Sequence, residues 1–171
     1  MIEIPTSNLL IADALKLSYA LHHGQVDKAG MPYIFHPYNV AMRVKEKFNR
    51  YAVLQTCADE QTCIIAALLH DTVEDTSYTI KDVQTRFGDD VSYVIKLLTK
   101  TKEVEINDYY KKILPCNEAL IVKLGDLEEN MRQNRIPNPI KKDAIRTAHY
   151  ERRYIQLYEK FKQLLSGSGI C

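Results

Sequence analysis

Residues 67–76 read ALLHDTVEDT: an apolar run, then His70-Asp71, then Glu74-Asp75. An imidazole and three carboxylates make a poor core. They do suit a divalent ion such as Zn²⁺, Mn²⁺ or Fe²⁺, which takes nitrogen and oxygen donors together. Adjacent helical side chains point about 100° apart, so His70 and Asp71 can meet only at a helix end that faces a cleft. Glu74 follows His70 by four residues and Asp75 follows Asp71 by four. If the helix persists, the two acids stack beside the ligands; if it breaks, they sit at its mouth. Paired carboxylates beside a metal can orient water and move protons. The plainer alternatives are a surface or capping His-Asp pair, and two acids that favour the positive end of the next helix.

A second stretch, VKLGDLEENMR (122–132), places Asp126 among apolar positions, with Asn130 one helical turn on and on the same face. A buried carboxylate requires a partner. That partner is either a metal shared with His70 and Asp71 or the neighbouring Lys123. His36, in YIFHP, is the remaining candidate ligand. Alone, a histidine there reads as a packing or capping residue, and it gains weight only in company.

The elements that must position these residues are helical, because apolar residues recur at three- to four-residue spacing and no convincing alternating strand is seen. Ser7 or Asn8 caps a first helix that ends near Gly24. DKAGMPYIFHP (27–37) reads as a loop. Pro37 excludes helix at His36 and starts the next helix, through Val40, Ala41, Val44 and Phe48. A third helix covers about 59–72. Thr79 caps IKDVQTRF, which Gly88 stops, and another helix follows over 89–100. A short helix is expected around 108–114, one over 117–133, a turn at Pro137 and Pro139, and a long last helix over 141–165 before a frayed SGSGIC tail. The expectation is an all-α bundle of seven to eight helices, one domain over 1–171.

A formal net charge of +1 gives no overall field that would draw the chain to nucleic acid or a membrane. No apolar run approaches the ~20 residues a membrane span needs, and the N-terminus lacks the features of a signal peptide. Four scattered cysteines without a CxxC pair indicate reduced thiols and a cytoplasmic protein rather than a zinc-thiolate site. Tyr109, Tyr110, Tyr150, Tyr154 and Tyr158 are candidates for a partner surface, and a homo-oligomer is left open. The last three, spaced by four, read better as an ordinary amphipathic helix face.

His36, His70-Asp71 and Asp126, in that order, resemble the ligand layout of the HD-superfamily metal phosphohydrolases. The chain is similar above all to the alarmone hydrolases, the hydrolase domain of RelA/SpoT-type enzymes and their single-domain relatives. The matching pieces are HHGQ (22–25), PYIFHP (32–37), AALLHDTVEDT (66–76), FGDDV (87–91), LTK (98–100) and VKLGDLEENMR (122–132). The resemblance implies one HD-type helical domain in which His36, His70, Asp71 and Asp126 hold a single metal, usually Mn²⁺. It makes Glu74 and Asp75 the catalytic acids and gives Asn130 a part in fixing substrate. The implied reaction removes the 3′-pyrophosphate of ppGpp or pppGpp, leaving GDP or GTP. Lys28 is placed to meet a phosphate. Tyr33 either serves near the nucleoside or packs on the first helix. Two departures bear on the substrate. Asp27 stands where the family often has arginine, and Leu127 to Glu129 replace the middle of its DRLHN. Three readings follow: a stand-alone guanosine alarmone hydrolase without a synthetase domain, an HD-type phosphohydrolase of another nucleotide such as ppApp or NADPH, and a non-catalytic alarmone-binding module.

Overall fold

The computed structural model describes residues 6–132 and 139–167. In chain order the helices are α1 (Thr6–Leu21), α2 (Phe35–Arg50), α3 (Leu54–Cys57), α4 (Glu60–Leu69), α5 (Thr72–Asp75), α6 (Ile80–Phe87), α7 (Asp89–Leu98), α8 (Ile106–Ile113), α9 (Asn117–Asn130) and α10 (Lys141–Leu165). Eight of them run eight residues or more, and among the described residues the only extended pairing is one bridge between Val26 and Pro32. The fold is all-α, as the periodicity requires.

α4 is the centre. Cys63, Ile65, Ala66, Ala67, Leu68 and Leu69 are all buried, so the helix is apolar on every side and must be enclosed by others. It packs against α1, α2, α7 and α9. α9 is nearly as enclosed: from Ala119 to Leu127 every residue but Lys123 is buried. α2 adds Val40, Ala41, Val44 and Phe48 to the same core. α2 and α9 come close at Gly125, where a Cβ would stand 3.4 Å from the Val40 carbonyl oxygen. That crossing lies one turn from His36 and next to Asp126, so it carries both side chains to one place.

Several boundaries differ from those read in the sequence. α2 already begins at Phe35, so His36 is helical despite Pro37. Pro37 falls in the first turn, where amide N–H groups have no intrahelical acceptor to lose. The third helix is not continuous: α4 stops at Leu69 and α5 restarts at Thr72. Asp71 at the break has φ −95° and ψ −8°, and Thr72 Oγ1 donates to the Leu69 carbonyl at 2.7 Å. α1 begins at Thr6, ahead of both expected caps. α3 was not anticipated, α7 ends at Leu98 and α8 begins at Ile106. Thr79 does cap α6 in a reciprocal box with Asp82, and Gly88 stops it at φ +89°. Cys63 and Cys116 carry free thiols. Gln133, Pro137 and the tail from 168 to Cys171 lie outside the described residues.

Candidate metal centre

His36 in the first turn of α2, His70 and Asp71 in the α4–α5 break, and Asp126 on α9 converge on one point. His36 Nε2 lies 3.2 Å from Asp126 Oδ1 and 3.6 Å from Asp71 Oδ2. His70 Nε2 lies 3.1 Å from Asp71 Oδ2 and 3.7 Å from Asp126 Oδ1. Donor atoms of His36, His70 and Asp126 all fall within 4.8 Å of one another, and all three residues are buried. The break in the helix creates this meeting. By leaving the helical path after Leu69, the chain lets two adjacent residues point inward together.

The donor set fits a divalent cation. His70 Nδ1 is 2.9 Å from the Ala67 carbonyl, so Nδ1 carries a proton and Nε2 is the ring nitrogen turned to the centre. That Nε2 is buried and in no hydrogen bond, although two carboxylates flank it. Burial would lower the His70 pKa, but Asp71 and Asp126 hold it well above the ordinary histidine value. Burial would likewise raise Asp71 and Asp126. The imidazoles, and for Asp126 first of all Lys123, keep both below the usual carboxylate range. Two ionised oxygens around two imidazole nitrogens leave a place for positive charge.

Each carboxylate is also held from outside. Tyr33 Oη donates to Asp71 Oδ2 at 2.6 Å. Asn130 Nδ2 donates to Asp126 Oδ1 at 2.6 Å, and Lys123 Nζ lies 2.7 Å from Oδ2. Asp126 thus has the lysine on one oxygen while the other turns to the histidines. Burial opposes the Lys123 charge, but Asp126 raises its pKa well above normal, so it remains an ammonium. Tyr33 and Asn130, expected at the substrate, touch metal-site carboxylates as well as lining the cleft.

The centre opens into a cleft of about 370 Å³ whose lining includes Glu74, Asp75, Lys100, Tyr109, Tyr110 and Tyr150. Glu74 Oε2 accepts the Lys100 backbone N–H at 3.1 Å. The Asp75 carboxyl is pushed above its usual pKa by burial and then by the charge of Asp71. A neighbouring compartment of about 240 Å³ shares Tyr33, His36, Asn130 and Tyr150 and adds Asp27, Lys28 and Arg146. Lys28 Nζ stands 3.5 Å from Asp143, which Arg146 also meets at 2.8 Å. Arg146, Lys100 and Tyr150 were missed in the sequence. Tyr150 packs against the core as a residue of an amphipathic helix face does and lines the cleft as well, and Tyr109 and Tyr110 are buried rather than offered to a partner. Only the i to i+4 spacing of Arg146 and Tyr150 hinted at a shared face.

The two departures separate. Leu127 is in the core, Glu128 lies against Lys47 with Tyr154 donating to it at 3.0 Å, and Glu129 accepts from Asn39 and Arg43 at 3.2 and 3.0 Å. None of the three lines the cleft, because they lie on the flanks of α9 away from Asp126 and Asn130. The expectation that they help decide the substrate is therefore corrected. Asp27 does line the outer compartment. Its Oδ1 accepts the N–H groups of Ala29 and Met31 at 2.8 and 3.0 Å and shapes the loop.

Two histidines and two aspartates gathered at a cleft in a helical bundle make a mixed imidazole–carboxylate donor set that could hold a metal ion. The HD domain family matches residues 14–134, and the chain is a member of it. It is similar to a guanosine-3′,5′-bis(diphosphate) 3′-pyrophosphohydrolase of Aquifex aeolicus, 35% identical over 130 residues, covering 71% of this chain and 17% of that protein. It is also similar to a probable GTP pyrophosphokinase of Mycobacterium leprae, 32% identical over 147 residues, 80% of this chain and 17% of that protein. The chain thus spans about 17% of the length of these two curated relatives. A solved structure of a metazoan ortholog of SpoT that hydrolyzes ppGpp superposes with a TM-score of 0.69 over 95% of this chain and 97% of that one, at 22% identity. That likeness establishes the fold.

Proposed function

We propose that this chain removes the 3′-pyrophosphate of guanosine alarmones, converting ppGpp or pppGpp to GDP or GTP and pyrophosphate, with the described residues acting as one metal-dependent unit. The observation that carries the proposal is the convergence of His36, His70, Asp71 and Asp126 beside Glu74 and Asp75 in one cleft. The names of the Aquifex relative and of the metazoan SpoT ortholog point the same way. His36, His70, Asp71 and Asp126 would hold a divalent ion, Mn²⁺ in this proposal, which would supply Lewis acidity at the cleft.

The chain's own groups do the rest. Tyr33 and Asn130 hold the Asp71 and Asp126 carboxylates in place. Glu74, held at the cleft by the Lys100 backbone N–H, takes the proton of the attacking water. Burial first, and then the charge of Asp71, raises the Asp75 pKa above its usual value, which suits it to give a proton to the 3′-oxygen. The bond between that oxygen and its phosphorus breaks as the water oxygen joins the phosphorus. Lys28, Arg146 and Lys100 offer positive charge to the phosphates, and Tyr150 offers a ring to the nucleoside. With Leu127 to Glu129 off the cleft and Asp27 engaged by its own loop, the guanosine reading is favoured over ppApp. A cytoplasmic location goes with this reading. Among the described residues no helix is long and apolar enough to cross a membrane.

The test is a panel of ppGpp, ppApp, NADPH and nucleoside monophosphates with Mn²⁺, scoring pyrophosphate and phosphate separately. Pyrophosphate from ppGpp above all others is expected. Phosphate alone, or a preference for another nucleotide, moves the chain to a different HD-type phosphohydrolase. Tight binding without turnover makes it an alarmone-binding module.

A further inference from the structure

The HHGQ stretch (22–25) supplies no group to the metal centre or to the cleft lining. Its first and last side chains nevertheless form a connected module beside both. His22 is buried, with Nδ1 2.8 Å from Gln25 Oε1 and Nε2 enclosed without a hydrogen-bond partner. Gln25 Nε2 donates to the backbone carbonyl of Asp75, a long bond at 3.4 Å. The Gln25 carbonyl accepts the Tyr33 N–H at 3.0 Å. The Tyr33 ring lies on His22, with centroids 4.9 Å apart, and its hydroxyl donates to Asp71 at 2.6 Å. One module therefore grips the Asp71 carboxylate with one arm and the Asp75 backbone with the other.

Hydrogen-bond polarity fixes its protonation. The Asp75 carbonyl can only accept, so Gln25 must present its NH₂ there and turn Oε1 to His22. Oε1 can only accept, so His22 must carry its proton on Nδ1. Nε2 is the enclosed nitrogen, with no hydrogen-bond partner among the described residues, which leaves Nδ1 as the ring's donor.

We infer that His22 and Gln25 are positioning residues: the Nδ1–H form of His22 orients the Gln25 amide, which sets the backbone of Asp75 relative to Asp71. The inference deepens the proposed function and rests on it for the role of Asp75. A histidine that merely fills space would tolerate any side chain of similar bulk. A positioning histidine requires the Nδ1 donor and nothing else.

Three substitutions separate these cases. His22→Asn keeps a donor where Nδ1 stands, His22→Gln moves it towards Nε2, and His22→Leu fills the space without one. For pyrophosphate release from ppGpp, His22→Leu and His22→Gln should lower kcat by roughly 10- to 100-fold, the scale of a misplaced catalytic group. KM, Mn²⁺ affinity and melting temperature should stay near those of the unmodified chain, and His22→Asn should recover most of kcat. The inference is overturned if His22→Asn is as impaired as His22→Leu, or if the loss falls on KM, metal affinity or the melt instead of kcat. A second readout needs no substrate. Long-range ¹H–¹⁵N spectra, with His22→Asn as the assignment control, should show His22 protonated at Nδ1. A ring protonated at Nε2 alone at neutral pH overturns the module. Should the unmodified chain release no pyrophosphate, the functional reading falls, and the tautomer still decides the module.

Discussion

The cleft has two ends built in opposite ways. At the inner end, His36, His70 and Asp126 are 6% exposed or less and stand on helices or a helix end, and both histidines lie within 3.7 Å of Asp126. At the outer end, the Lys28 side chain is 57% exposed on a loop and meets Asp143 only at 3.5 Å. Packed helices fix the inner geometry before any ligand arrives, and such preorganisation is what metal chemistry demands. The outer charges are screened by water and adjust with their loop, which suits recognition of phosphates. Substitutions at the inner end should therefore cost turnover or metal, and those at the outer end should cost KM.

The sharpest test of that contrast is Asp126→Asn. It should lower pyrophosphate release by at least about 10³-fold, the several kcal/mol a Lewis acid contributes, together with loss of Mn²⁺ binding by electron paramagnetic resonance. Asp75→Asn should cost about 10²- to 10⁴-fold in kcat while Mn²⁺ still binds, and lost metal binding there would merge the two roles. Tyr33→Phe removes the 2.6 Å bond to Asp71 and should weaken Mn²⁺ about 10- to 100-fold with the fold intact. At the outer end Lys28→Ala should raise KM about threefold to tenfold and leave kcat alone, as expected for an exposed charge. A kcat effect of Lys28→Ala equal to that of Asp75→Asn would erase the distinction.

The smallest effect expected is on stability against pH. His70 holds its proton more tightly folded than unfolded. Its contribution is therefore fully present below the unfolded histidine pKa and is lost as pH rises through the elevated folded one. The metal-free chain should melt at lower temperature as pH climbs through that window, because Asp71 and Asp126 lose the charge between them. Added Mn²⁺ should reverse the trend, since metal binding requires a deprotonated imidazole. Thermal melts with and without metal check it.

The helical class was legible because it depends on local spacing, and the meeting of His36, His70, Asp71 and Asp126 beside Glu74 and Asp75 in one cleft was legible from the order of the motifs. Val40, Ala41, Val44 and Phe48 mark one face of α2, and Asp126 and Asn130 mark one face of α9. The α4–α5 break was left open in the sequence. It turns on the φ and ψ of Asp71 and on the Thr72 bond to the Leu69 carbonyl, which no periodicity encodes. The outer end was read least well. Arg146 and Tyr150 reach the cleft only because α10 packs along α9, a contact between segments distant in sequence. Leu127 to Glu129 misled for the converse reason. They neighbour Asp126 in sequence but lie on other faces of the same helix.

In the proposed reaction one metal, held by His36, His70, Asp71 and Asp126, serves the hydrolysis of a 3′-pyrophosphate. The most direct measurement is pyrophosphate release from ppGpp by metal-stripped chain during titration with Mn²⁺. Turnover should be absent without metal and rise along a one-site binding curve, with one pyrophosphate formed for each GDP. Turnover that persists in chelator, or free phosphate in place of pyrophosphate, would contradict it.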